Sequence, residues 1–152
     1  MDDEIKFEDT ASYKLARVTT AFRTALERHM GTIGLHGGQV FILFELWRQD
    51  GLRQVDIADR LNVKAPTVNK MLKGLMEINL VTITRLDDDG RSSRVFLTEK
   101  GYDIRKDVGD QWVELEADYL SGLTDTERHI LPDLLGKLKA AYTGREEPGE
   151  DD

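Results

Sequence analysis

Apolar residues recur at Leu15, Val18, Phe22, Leu26 and Met30. Steps of three and four put them on one stripe and predict a helix over Ser12–Met30. From Gln39 to Trp47 the chain is strongly apolar and bounded by glycines, which fits a short buried helix better than a strand. "LRQVDIADRL" and "APTVNKMLKGLMEI" then read as two helices separated by "NVK". In the second, Val68, Met71, Leu72 and Leu75 form an i, i+3, i+4, i+7 set. The period changes to two at "LVTITRL", which is rich in β-branched residues, and "RVFL" from Arg94 to Leu97 is strand-like again. Two such runs around a polar, Gly-containing loop predict a hairpin. Thr98 caps one long helix with apolar positions Ile104, Val108, Trp112, Leu115 and Tyr119. Thr124 and Glu127 have the spacing of a capping box, in which each side chain satisfies an orphan backbone donor. The last helix carries Leu131, Leu134, Leu135 and Leu138, and Pro132 inside it predicts a kink.

Helix–turn–helix followed by a β-hairpin is the pattern of a winged helix. The predicted fold is mainly α with a small β-hairpin wing, flanked by one N-terminal and two C-terminal helices. On the helix from Ala65 to Ile78 the face opposite the apolar stripe holds Pro66, Asn69, Lys70, Lys73 and Glu77, with Thr67 at its flank. Such a face suits the major groove: Asn can bond adenine's edge, Thr can touch a thymine methyl, and Lys can reach guanine or phosphate. Taken alone it is the wet side of an ordinary amphipathic helix, and its neighbours turn the reading toward DNA. In "RLDDDGRSSRVFLT", Asp89 can face Arg91 and Arg94 across the hairpin tip and aim Arg91 at a minor groove. A surface pair is worth only ~0–1 kcal/mol, so its role is orientation. Asp87 and Asp88 lack the ligand spacing of a calcium loop.

Charge at first argues against nucleic acid, since the 152 residues carry a net −8. The excess sits at the two ends. Asp2, Asp3, Glu4, Glu8 and Asp9 oppose only Lys6, and Glu146, Glu147, Glu150, Asp151 and Asp152 oppose only Arg145. These ends read as mobile acidic tails, and the chain between them is neutral. The apolar fraction of 39% suffices for a core, which subunit association would enlarge. Without cysteine there are no disulfides, thiolate metal sites or thiol switches. The first residues form neither a signal peptide nor a membrane span, so the expected location is cytoplasmic.

From Leu35 to Gly101, "LHGGQVFILFEL", "QVDIADRLNVKAPTVNKMLKGLMEINLV" and "DGRSSRVFLTEKG" resemble the MarR family of transcription regulators. The last contains an Asp-x-Arg-x-x-Arg wing signature at Asp89, Arg91 and Arg94. The likeness extends over roughly residues 12–143. It implies a homodimer in which the first helix and the last two intertwine, and two winged helices on a palindromic DNA operator. It also implies contacts at Pro66, Thr67, Asn69, Lys70 and Lys73, and at Arg91 and Ser92 in the wing. Many members release DNA when a small aromatic acid or phenol enters the cleft between dimer and DNA-binding parts. Three positions depart from the family pattern. Arg53 and Lys64 stand where a hydroxyl residue often caps the third and fourth helices; both can reach phosphate but weaken the caps by up to ~1 kcal/mol. Asn79 replaces a glycine and tolerates the left-handed conformation required there.

The expected organisation is an acidic tail at 1–10, a dimerisation helix at 11–34, a winged helix-turn-helix at 35–98, dimerisation helices at 99–144 and a second tail at 145–152. The function read from this is a sequence-specific DNA-binding regulator, a repressor released by a small aromatic or phenolic effector. The alternative is a winged-helix module that binds protein through its acidic ends. No acid–base pair, nucleophile motif or phosphate-cradling loop suggests an enzyme, and no cofactor is implied. His29, His36 and His129 lack metal-ligand spacing. Tyr13, Arg17, His36 and Trp47 are the groups near which an anion could sit, but each reads more simply as a packing or interface residue. No ligand residue is assigned.

Overall fold

The computed structural model describes residues 4–85 and 93–143. Its elements are α1 (Ala11–Gly31), α2 (Gly37–Arg48), β1 (Leu52–Arg53), α3 (Gln54–Leu61), α4 (Ala65–Glu77), β2 (Val81–Arg85), β3 (Ser93–Leu97), α5 (Glu99–Asp103), α6 (Arg105–Tyr119) and α7 (Asp125–Thr143). The chain divides at Leu115, within α6, into two compact units. The reason is packing: Val108 and Leu115 are buried in the same core as Leu26, Met30 and Leu43, with Trp112 packed against it.

In the first unit, α2 is the central element, with Val40, Ile42, Leu43 and Leu46 almost fully buried. Its nearly all-apolar sequence makes it a helix surrounded by protein. The α1 stripe divides. Leu26 and Met30 enter the core, while Leu15 and Val18 stay exposed. Residues 7–10 correct the tail reading, because Phe7–Asp9 form a 3-10 turn and Thr10 caps α1 by accepting the Tyr13 N–H. A hydroxyl at the N-cap replaces one missing backbone acceptor, and this ties the preceding turn to the helix.

The sheet has three strands and not two, in the order β1-β3-β2. Val81 faces Leu97 and Arg85 faces Ser93 in the hairpin, and Leu52 and Arg53 pair with Val95 and Arg94 on the other edge of β3. Two residues between Gly51 and α3 are too few to show a period, so β1 was illegible as a strand. The helix predicted after Thr98 is also two helices, broken at Ile104. Thr98 caps the first, accepting the Gly101 N–H at 3.0 Å.

The second unit contains α7, opened by the foreseen capping box: Glu127 accepts the Thr124 N–H at 2.8 Å and Thr124 accepts the Glu127 N–H at 3.3 Å. The helix runs through Pro132 and buries none of its residues. Ile130, Leu134, Leu135 and Leu138 are all exposed. No described helix is long and apolar enough to cross a membrane.

Candidate nucleic-acid interface

Helices α3 and α4 are joined by a three-residue turn. Asn62 ends α3 at φ +51°, its N–H reaching back to Ala58 and Asp59; a short polar side chain tolerates this left-handed state. Helix α4 begins at Ala65 with Pro66 in its first turn, where the missing N–H has no helical acceptor to lose. Val68, Leu72 and Leu75 are buried, and burial of each contributes ~1.5–3 kcal/mol. That anchoring fixes the opposite face. Lys64, Pro66, Thr67, Asn69, Lys70 and Lys73 are all exposed. Among the described residues no ion pair engages any of the three lysines. Asn79, at φ +61°, adopts the left-handed conformation expected of it.

Arg53 and Lys64 are the N-caps of α3 and α4, and neither side chain makes a capping hydrogen bond. Arg53 instead grips Asp56 with two bonds of 2.9 and 3.0 Å, an interaction that holds the Asp56 carboxyl below its usual range. Arg53, Asn69 and Ser93 line one open hollow of about 450 Å³ between the helix pair and the sheet. Arg94 lies opposite Arg53 in the β1–β3 register. It turns away and donates to the Gly51 carbonyl at 2.9 Å. Asp89, Arg91 and Ser92 lie outside the described residues, and so does the proposed Asp89 pairing.

The structure also shows a seam that the sequence reading did not find. The carbonyls after α4 are taken up by the start of α5: Asn79 accepts from the Thr98 hydroxyl at 2.6 Å, Ile78 from Lys100 at 3.0 Å, and Leu80 from the Thr98 N–H at 3.0 Å. Trp47 of α2 donates its indole N–H to the Gly101 carbonyl at 2.9 Å. Asp50 accepts the Tyr102 hydroxyl, which raises the phenol's pKa. Which distant donors meet at Asp50 is fixed by the register of β3.

Beside this seam, α2 and α6 enclose a hollow of about 500 Å³ lined by Phe44, Trp47, Trp112, Arg48 and Arg105. Phe44 meets Trp112 edge-on at 5.1 Å, and Arg105 sits over the Trp47 ring at 5.8 Å. Of the four groups considered for an anion, only Trp47 lines it. His36 begins α2 and bonds Glu27 at 2.7 Å. The Glu27 carboxyl also accepts the Gly37 N–H, and these bonds, the Gly37 one foremost, lower its pKa.

A helix pair with its second helix exposed on one face, followed by an antiparallel sheet, is a winged helix-turn-helix. The MarR family model matches residues 35–93, which span α2 through the first residue of β3. Over that segment, less than half of its length, the chain is similar to the MarR family. It is 30% identical over 79 residues to an uncharacterized HTH-type transcriptional regulator of Staphylococcus aureus, a match covering 52% of this chain and 51% of that one. The chain thus spans about half the length of the first curated relatives it matches. A MarR-family regulator from Silicibacter pomeroyi superimposes with a TM-score of 0.70 at 26% identity, covering 97% of each chain. CouR from Rhodococcus jostii RHA1, solved with p-coumaroyl-CoA, gives 0.80 at 19% identity over 95% of this chain and 100% of that one. At that identity the likeness is one of fold.

Proposed function

We propose that this chain is a sequence-specific DNA-binding transcriptional regulator acting as a homodimer on a palindromic operator. The observation that carries the proposal is the outward face of α4, where Thr67, Asn69, Lys70 and Lys73 are exposed along a helix held by three buried residues. Pro66 and Thr67 at its N-terminal end approach base edges, while Lys64, Lys73 and Arg53 meet phosphates. Arg91 and Ser92 extend the contact into the neighbouring minor groove. The dimer is supported by two apolar surfaces, Leu15 and Val18 on α1 and Leu134, Leu135 and Leu138 on α7, which are exposed in the single chain. Apolar area of this kind favours association when a second copy covers it.

The protein is a repressor, and its effector is a small aromatic or phenolic molecule, or its carboxylate. Three aromatic rings and two guanidinium groups around the α2–α6 hollow suit a planar anion. The fold shared with CouR, which was solved with an aromatic acyl thioester, points the same way. Selection from random duplex DNA with the purified protein tests the DNA reading. The expected product is an inverted repeat with half-sites about one helical turn apart. Failure to enrich any sequence at low salt would sink it.

A further inference from the structure

Gln39 is the one buried polar residue among the described residues, at 5% exposure. It stands in the first turn of α2, where its side-chain oxygen accepts the His36 N–H at 2.9 Å. Its amide nitrogen lies against α4: a Cβ built at Gly74 would be 2.5 Å from that atom. Among the described residues no other element comes within 4 Å of the same position. The space that a side chain would fill at residue 74 is therefore occupied by the end of Gln39, as close packing requires. Gly38 repeats the arrangement beside it, since a Cβ there would meet Met71 Sδ at 3.0 Å.

The first turn of α2 thus abuts α4 at two points. Both lie on one line of α4, because Thr67, Met71 and Gly74 follow steps of four and three. That line borders the exposed face, where Lys70 stands one turn before Gly74. The abutting turn is itself held from behind: Glu27 of α1 accepts the Gly37 N–H and bonds His36 Nδ1, both at 2.7 Å. Burial of Val68, Leu72 and Leu75 keeps α4 on the core, but apolar attraction is non-directional. The roll of the helix about its own axis is set by what meets its flank.

We infer that Gln39 is a positioning residue for α4: wedged against Gly74, it fixes the roll of the helix and so which of Thr67, Asn69 and Lys70 reach base edges. This rests on the DNA-binding reading above. Attraction to phosphate is independent of sequence, whereas a base contact needs one orientation. A changed roll therefore lowers discrimination between operator and unrelated DNA. Lost stability alone lowers both affinities together and leaves their ratio unchanged.

Fluorescence anisotropy gives each variant's affinity for the selected operator and for a scrambled duplex of equal length, at one salt concentration. The ratio of the two is the readout. In Gly74→Ala the new methyl displaces Gln39, and the ratio is expected to fall about tenfold, as for one mismatched base pair. Gly74→Ala combined with Gln39→Ala gives the methyl its room and is expected to stay within about threefold of the wild-type ratio. A fall below about threefold in Gly74→Ala, or a double variant no better than it, overturns the inference. If Gly74→Ala does not fold, Gln39→Met against Gln39→Ala decides, because Met keeps the length of the side chain and loses the acceptor for His36. The ratio is expected to fall more than about threefold in Gln39→Ala and less than that in Gln39→Met. Equal ratios in those two variants leave Gln39 a cap only and overturn its positioning role. When the wild type selects an operator and these variants keep its ratio, this inference alone fails. When the wild type selects no duplex, the proposed function fails with it.

Discussion

Gly101→Ala is the substitution whose consequence the structure fixes most tightly. A Cβ built at Gly101 would lie 2.1 Å from the Leu80 carbonyl oxygen and 3.1 Å from Leu97 Cδ2. Ordinary contact begins near 3.4 Å, so the two backbones must part by about 1.3 Å. Leu80 is fully buried and cannot swing aside. Its carbonyl also accepts the Thr98 N–H, so separation strains or breaks that bond. Overpacking costs ~1–3 kcal/mol, and a buried carbonyl left without its donor costs ~1–3 kcal/mol more. Alanine's better helix propensity returns at most ~1 kcal/mol. The net expectation is a loss of ~2–4 kcal/mol, a large part of a typical domain stability of ~5–15 kcal/mol. Urea unfolding followed by circular dichroism measures it, at equal protein concentration because association contributes to apparent stability. Gly109→Ala on α6, where a Cβ meets nothing within 4 Å, is the control and gains ~0.5–1 kcal/mol. A loss below ~1 kcal/mol for Gly101→Ala would refute the close seam between α5 and the end of α4.

Three further outcomes test other parts of the molecule. Glu27 has a lowered pKa, so its contribution is present above pH 4.5 and fades as pH falls through the lower folded value. Glu27→Gln should therefore cost less than ~1 kcal/mol at pH 7, because the pair is solvent-exposed, and urea midpoints of mutant and wild type should converge below pH 4.5. Lys70→Ala should weaken operator binding and reduce the steepness of the log–log salt dependence by about 1 if it meets a phosphate. An unchanged slope together with unchanged affinity would remove Lys70 from the interface. Thr124→Ala removes one half of the α7 capping box and should cost ~1 kcal/mol, read as a lower melting temperature.

The elements that the sequence announced are those with a repeating pattern. The stripe of Val68, Met71, Leu72 and Leu75 placed α4 and its exposed face, alternation placed β2, and the apolar run "RVFL" placed β3. Thr98 and the Thr124–Glu127 pair marked helix starts because a capping side chain acts within three residues of itself. What escaped depends on contacts across the chain. Strand β1 is two residues held by β3, about forty positions away. The partners of Asp50 and Trp47 follow from that pairing and from the approach of α5. Thr10 escaped because the acidic residues before it suggested a mobile segment, although a hydroxyl before an apolar-periodic run is a capping pattern in its own right. Arg53 was assigned to phosphate from its place at a helix start. Its bidentate bond to Asp56 fixes its orientation and compensates part of its charge.

The acidity of the chain also bears on DNA binding, through distance. At physiological salt the Debye length is about 8 Å, so a phosphate beside α4 responds mainly to Lys64, Lys70 and Lys73 and little to carboxylates elsewhere. The excess negative charge lies in residues 1–10 and 145–152, and its repulsion of DNA grows as salt is lowered. Residues 7–10 form the turn and the N-cap that precede α1, so the informative truncation removes residues 2–4 and 145–152 and leaves the Thr10 cap. Removing them deletes seven net negative charges: Asp2, Asp3 and Glu4 at one end, and five acids against Arg145 at the other. Operator affinity should rise in the truncated protein at ~10 mM salt, where the Debye length is about 30 Å, and the gain should vanish near ~150 mM. A truncated protein that binds DNA more weakly at every salt concentration would mean that the acidic segments assist the complex, and the electrostatic account would fail.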